Sequence, residues 1–277
     1  MPHTSTDMPD APAASRPPSR AGRLVSATLT LWQREMVRFL RQRNRVIGAL
    51  ATPVVFWLLL GAGLNRSFDA AGTEMGYLAY FFPGMLVLVL LFTAIFSTIS
   101  VIEDRREGFL QAVLAAPAPR LAIVLGKVLG GATLATGQAL VVMLIWPLIG
   151  EFPGIVPTVA TMGAMGLLAI GLTAMGLCIA WPMDSTAGFH AIMNLLLMPM
   201  WFLCGAVFPY ATAPAWMRAV MTVNPLTYGY SAIAALLHGP DTPAAAAGLG
   251  VSLLLTGLFT LAGLAIAVRL VARPARD

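Results

Sequence analysis

Long apolar runs separated by short polar connections organise this chain. Six of them, residues 46–64, 77–101, 121–148, 155–180, 188–208 and 244–271, are candidates to cross a bilayer. A helix needs ~20 apolar residues for that, at about 1.5 Å of rise per residue. Each run predicts one transmembrane helix. The third and fourth are joined only by a turn around Gly150-Glu151-Phe152-Pro153-Gly154, so they must run antiparallel.

Other segments carry an apolar pattern without the length to span. Residues 24–45 place Val25, Leu29, Trp32, Met36, Phe39 and Leu40 in one helical stripe and Arg34, Arg38, Arg41 and Arg45 in another. A helix so built lies in the membrane interface, with Trp32 and the apolar stripe in the acyl boundary and the four arginines on lipid phosphates. A plain anchor ahead of the first span would occupy the same place.

The connection at 103–116 begins with five consecutive charged residues, Glu103, Asp104, Arg105, Arg106 and Glu107, followed by Gly108. Phe109, Leu110, Val113 and Leu114 then suit a short helix that Pro117 and Pro119 stop. Such a helix can present an apolar patch to a soluble partner. The alternative is a solvated loop.

Residues 209–243 are too apolar for a solvated loop. A first short helix at 213–223, carrying Trp216, is followed by Asn224-Pro225, a cap with proline at the first helical position. A second helix with Tyr228 runs to the Gly239-Pro240 stop. Helices of roughly 11 and 14 residues are too short to cross, which predicts an external re-entrant hairpin. One long span over 213–238 would bury Asn224-Pro225 in its middle and upset the topology.

Composition agrees with a membrane protein. Charged residues make up 10% of the chain, the apolar set 58%, and the mean hydropathy is +0.81. A soluble domain of this size could not cover that much apolar surface. The net charge of +5 does not point to nucleic acid, because the basic residues follow topology. Fifteen of the 17 fall in the N-terminal tail, at 105–127 and near the C-terminus, against Arg66 and Arg218 on the other side. The positive-inside rule therefore expects both ends in the cytoplasm, with residues 1–23 a disordered tail and 272–277 a short one. Nothing at the N-terminus resembles a cleaved signal.

Local chemistry is sparse. No G-x-x-x-x-G-K-[ST] phosphate loop occurs, and no His, Cys, Asp or Glu cluster has metal spacing. Cys178 and Cys204 sit in different apolar runs near opposite faces of the bilayer, which disfavours a disulfide. Ionisable groups are almost missing from the spans, with Lys127 near one end. A self-sufficient ion-coupled carrier usually needs such groups near the midplane. An ion-coupled transporter or channel remains the alternative, and a membrane enzyme lacks any nucleophile, base or metal set.

In Tyr80-Phe81-Phe82-Pro83-Gly84, in the run from Glu103 through Pro117 to Gly126-Lys127, and in Asn224-Pro225-Leu226-Thr227-Tyr228, the chain resembles the membrane subunit of type 2 ABC exporters. Members of that family export drugs, polysaccharides, lipids and nodulation signals. The resemblance implies an all-α permease of six transmembrane helices in the bacterial inner membrane. It further implies pairing with a second, usually identical, permease subunit and with two cytoplasmic ATPase subunits that hold ATP and magnesium. This chain itself would bind no cofactor. Residues 24–45 would be the connecting helix, 103–116 the coupling helix seated on the ATPase, and 213–238 the external hairpin.

Overall fold

The computed structural model describes residues 19–42, 47–48, 51, 53–59, 61, 63, 77–116, 118–239, 242 and 245–273. Among them the chain forms helices and turns and no strand. The helices are α1 (Arg20–Arg41), α2 (Tyr77–Ser97), α3 (Ile99–Arg106), α4 (Phe109–Ala115) and α5 (Arg120–Met143). They continue with α6 (Ile155–Ala180), α7 (Thr186–Trp201), α8 (Ala215–Val223), α9 (Pro225–His238) and α10 (Leu249–Ala272).

Among the described residues, five segments are long and apolar enough to cross a membrane: Tyr77–Arg106, Arg120–Leu148, Ile155–Ala180, Thr186–Ala206 and Leu249–Ala272. They correspond to the second through sixth expected spans. The first expected span, 46–64, lies partly outside the described residues. Those described within it are helical, and Trp57 there donates its indole N–H to the Leu78 carbonyl at 3.1 Å. The tail at 1–18, Arg45 and residues 274–277 also lie outside the described residues.

Helix α2 forms the centre of the bundle, almost wholly buried by α5, α6, α7 and α9. Its lack of polar surface on any side is what a fully surrounded helix requires. Helices α7 and α10 are peripheral: α7 buries a single seam of Phe189, Met193, Leu197 and Trp201. The Tyr80–Gly84 motif sits where α2 meets the end of α7. Trp201 donates its indole N–H to the Gly84 carbonyl at 2.9 Å, and a methyl on Gly84 would meet the Ala206 side chain at 2.6 Å.

The structure departs from the expected boundaries in informative places. The second span does not stop at 101 before a charged loop. Glu103 to Arg106 form the last turn of α3, and the chain breaks at Gly108, whose φ of +78° belongs to glycine. The fifth span leaves regular helix after Trp201, with Leu203 at φ −100°, ψ 28° and Gly205 at φ +103°. The third span ends its α-helix at Met143 and adds a single 3-10 turn at Trp146–Leu148.

Helix α1 lies against α5, and most of the apolar stripe expected to meet lipid stays off that contact, Phe39 excepted. Thr28, Leu31, Glu35 and Phe39 turn inward, while Val25, Leu29 and Leu40 stay exposed. The partner's small residues decide this. Methyl groups on Gly126 and Gly130 would meet Leu31 Cβ at 2.5 Å and Glu35 Cβ at 2.9 Å, so glycine is what lets the two helices touch.

Candidate functional site

At one end of the bundle the charges of three helices converge. Asp104 of α3 is fully buried and accepts both guanidinium nitrogens of Arg34, at 2.6 and 3.0 Å, and one of Arg38 at 2.8 Å. Arg38 also donates to Glu103 at 2.7 Å. From α5, Lys127 reaches Glu35 of α1 at 2.6 Å, the Ser100 hydroxyl at 3.1 Å and the Asp104 carboxylate. Glu35 and Lys127 are 6% and 4% exposed, too dry to be stable unpaired.

Burial alone would lower the Arg34 pKa, but the hydrogen bonds and negative charge of Asp104 outweigh it and hold the pKa above its ordinary value. The guanidinium also stacks over the Phe109 ring at 3.7 Å. Arg34 and Arg38, expected to meet lipid phosphates, are thus committed to carboxylates of the protein. Arg41 is exposed in the last turn of α1, and Trp32 donates to the Thr133 hydroxyl of α5 at 3.2 Å.

Beyond Asp104 the other two arginines of the charged run face elsewhere. Arg105 donates to the Met183 carbonyl and the Asp184 carboxylate, each at 3.0 Å, and to the Trp181 carbonyl. Arg106 donates to the Asp184 carbonyl at 2.9 Å. These bonds clip the end of α3 to the turn between α6 and α7. Similarly, Arg120 at the start of α5 donates to the carbonyls of Val271, Ala272 and Arg273 at 3.2, 3.1 and 2.9 Å, satisfying the last turn of α10. Among the described residues, arginine thus anchors both the turn between α6 and α7 and the end of α10.

Helix α4 turns most of its apolar stripe inward and leaves Leu114 exposed. Leu110 is buried, and Phe109 and Val113 pack inward beside Leu31, Ile123 and Ala267. The stripe is spent on holding α4 to the body, because a seven-residue helix has no other means of staying folded. Glu107, Gly108, Gln111, Ala112, Leu114 and Ala115 form the exposed side.

At the opposite end, Asn224 joins three pieces of chain. Its amide nitrogen donates to the carbonyls of Met200 and Leu203, at 2.6 and 2.9 Å, where α7 loses its regular bonding. Its side-chain oxygen accepts from the Leu226 backbone N–H at 3.1 Å and so caps α9, with Pro225 at the first position. Tyr228 closes the hairpin by donating to the Thr222 carbonyl at 2.7 Å, while Trp216 is 64% exposed on α8.

Between the two ends, a cavity of about 560 Å³ opens among α1, residues 53–56, α2 and α7. Phe56, Phe92, Phe96 and Trp201 supply an aromatic wall, and Thr93 and His190 its polar spots. Spacing did not reveal Glu35 as the partner of Lys127. The available signal was that Glu35 is the single acid of an arginine-rich α1 and Lys127 the single charge inside its apolar run. Among the described residues no group of His, Cys, Asp and Glu has the geometry to hold a metal ion.

Residues 26–238 match the profile of a family described as ABC-2 type transporter. The chain is 26% identical over 207 residues to a transport permease named ycf38 from Cyanophora paradoxa, covering 74% of this chain and 71% of that one. It is 27% identical over 233 residues to the daunorubicin resistance ABC transporter permease protein DrrB1 of Streptomyces coeruleorubidus, covering 82% and 80%. Over 221 residues it is 26% identical to nodulation protein J of Rhizobium leguminosarum bv. viciae, covering 76% and 82%.

Proposed function

The chain belongs to the ABC-2 type transporter family, and on that premise we propose that it is the permease subunit of an ATP-driven exporter, moved by a separate ATPase that docks on α4. As a member of this family it is a multi-pass membrane protein and a transport permease rather than an enzyme. The observation that carries the finer reading is the elbow at 103–116. It is a short helix whose outer face is mostly small and apolar, with Gln111, Ala112, Leu114 and Ala115 exposed, fixed to the ends of two spans by buried ion pairs. A soluble partner pushing on such an element moves the spans behind it.

The remaining roles follow from the same reading. Residues 46–64 complete a set of six spans, both termini lie in the cytoplasm, and α1 rests on the inner membrane surface with Val25, Leu29 and Leu40 toward lipid. Helices α8 and α9 form the re-entrant hairpin of the outer leaflet. Two permease subunits, identical in the simplest assembly, and two ATPase subunits carrying ATP and magnesium make up the transporter. The aromatic cavity is part of the cargo path. Purification of the chain from its native membrane tests this: an ATPase is expected to co-purify, and ATP is expected to support export in reconstituted vesicles. Transport that follows an ion gradient without ATP would instead establish an ion-coupled carrier.

A further inference from the structure

Glu35, Asp104 and Lys127 are the buried ions among the described residues, and Lys127 stands at the point where three helices meet. Its ammonium has three protons and three acceptors, on Glu35, Ser100 and Asp104. Asp104 ends the chain entering the elbow, and Lys127 lies near the start of the chain leaving it. Their bond closes a loop whose ends are 23 residues apart in sequence. Apolar packing by Leu110 seats α4 between two turns, at Gly108 and Pro119, and this bond fixes the chain ends on which those turns hinge.

Charge distribution points the same way. Helix α1 contributes Arg34, Arg38 and Glu35, α3 contributes Glu103 and Asp104, and α5 contributes Lys127. Three cations thus face Glu35, Glu103 and Asp104, with Glu107 3.6 Å from Arg38 as a fourth acid, so the junction draws its pairs from all three helices. A dry junction of this kind holds together only with all three helices in register.

We propose that Lys127 is a positioning residue that turns the elbow from a hinged flap into a lever, gripping the spans on both sides of it, and that Glu35 extends the grip to α1. The inference rests on the reading that an ATPase docks on the elbow. It adds a claim about rigidity that this reading does not contain.

The test uses the permease–ATPase complex in vesicles, in a background with Cys178 and Cys204 replaced by serine. Met198→Cys on the cavity wall reports access to a water-soluble maleimide with and without ATP. In the charge-balanced variant Glu35→Gln/Lys127→Gln, ATP hydrolysis is expected to continue while the ATP-dependent change in labelling rate shrinks about tenfold, and Lys127→Arg is expected to keep most of it. A full ATP-dependent change in the double variant overturns the proposal. A second measurement leaves the junction intact. Spin labels at Ala116→Cys, at the end of α4 and off its docking face, and Leu129→Cys on α5 should keep one separation when a non-hydrolysable ATP analogue binds, and a changed separation overturns the lever. Failure of the unaltered chain to bind any ATPase defeats the docking reading instead, before any variant is made.

Discussion

Asp104 concentrates the energetics of the charged end in one side chain. Two oxygens accept four charge-assisted bonds from Arg34, Arg38 and Lys127, and the carboxylate is fully enclosed. Asp104→Asn removes the charge that three buried or half-buried cations share, at a cost of roughly 3–5 kcal/mol for breaking a buried pair. The expected outcome is a clearly lower thermal midpoint in detergent, with Arg41→Gln, exposed in the last turn of α1, within about 0.5 kcal/mol of the wild type. At this scale sequence reading succeeded in part. A run of five charges announced a special segment, but not which charges face water. The partners of Asp104 are 66 to 70 residues away on α1 and 23 away on α5, and no periodicity within one helix encodes such a match.

At the scale of elements, helix existence was legible and helix orientation was not. The short helices at 215–223 and 225–238 were marked by the Asn224-Pro225 restart, which depends on local backbone chemistry alone. The face by which α1 packs on α5 was not visible, because it is set by the glycines of α5 and lies beside the stripe that was expected to meet lipid. The same holds for α4, where an apolar stripe read as a docking patch is the face that attaches the helix to its own protein. The two faces of α4 make separable predictions. Leu110→Ala should destabilise the chain by about 2–5 kcal/mol, read as a lower unfolding midpoint. Gln111→Trp on the outer face should leave that midpoint within about 0.5 kcal/mol and abolish co-purification of the ATPase.

For the whole molecule, the segregation of charge defines an axis. Arg34, Arg38, Arg105, Arg106, Arg120 and Lys127 gather at one end, and the hairpin with Trp216 and Arg218 lies at the other. The positive-inside rule turns that axis into a topology. Single cysteines at Ser19 and Arg273 should react with a membrane-impermeant maleimide only after the cytoplasmic face is opened, and one at Trp216 should react in intact cells. Labelling of Ser19→Cys in intact cells would reverse the orientation. Five spans were legible from run length, since hydrocarbon thickness imposes it.

The joint at Asn224 has a consequence for how the protein is made. The carbonyls of Met200 and Leu203 leave the ribosome 24 and 21 residues ahead of the amide that satisfies them. Until that amide arrives, the outer end of α7 carries bare carbonyls that hydrocarbon will not accept. The fifth span and the hairpin after it therefore settle into the bilayer as one unit during synthesis. A released chain truncated before residue 224 is expected to hold the helix at Thr186–Trp201 short of its final depth, and one ending after His238 to seat it, read by cysteine labelling along that helix.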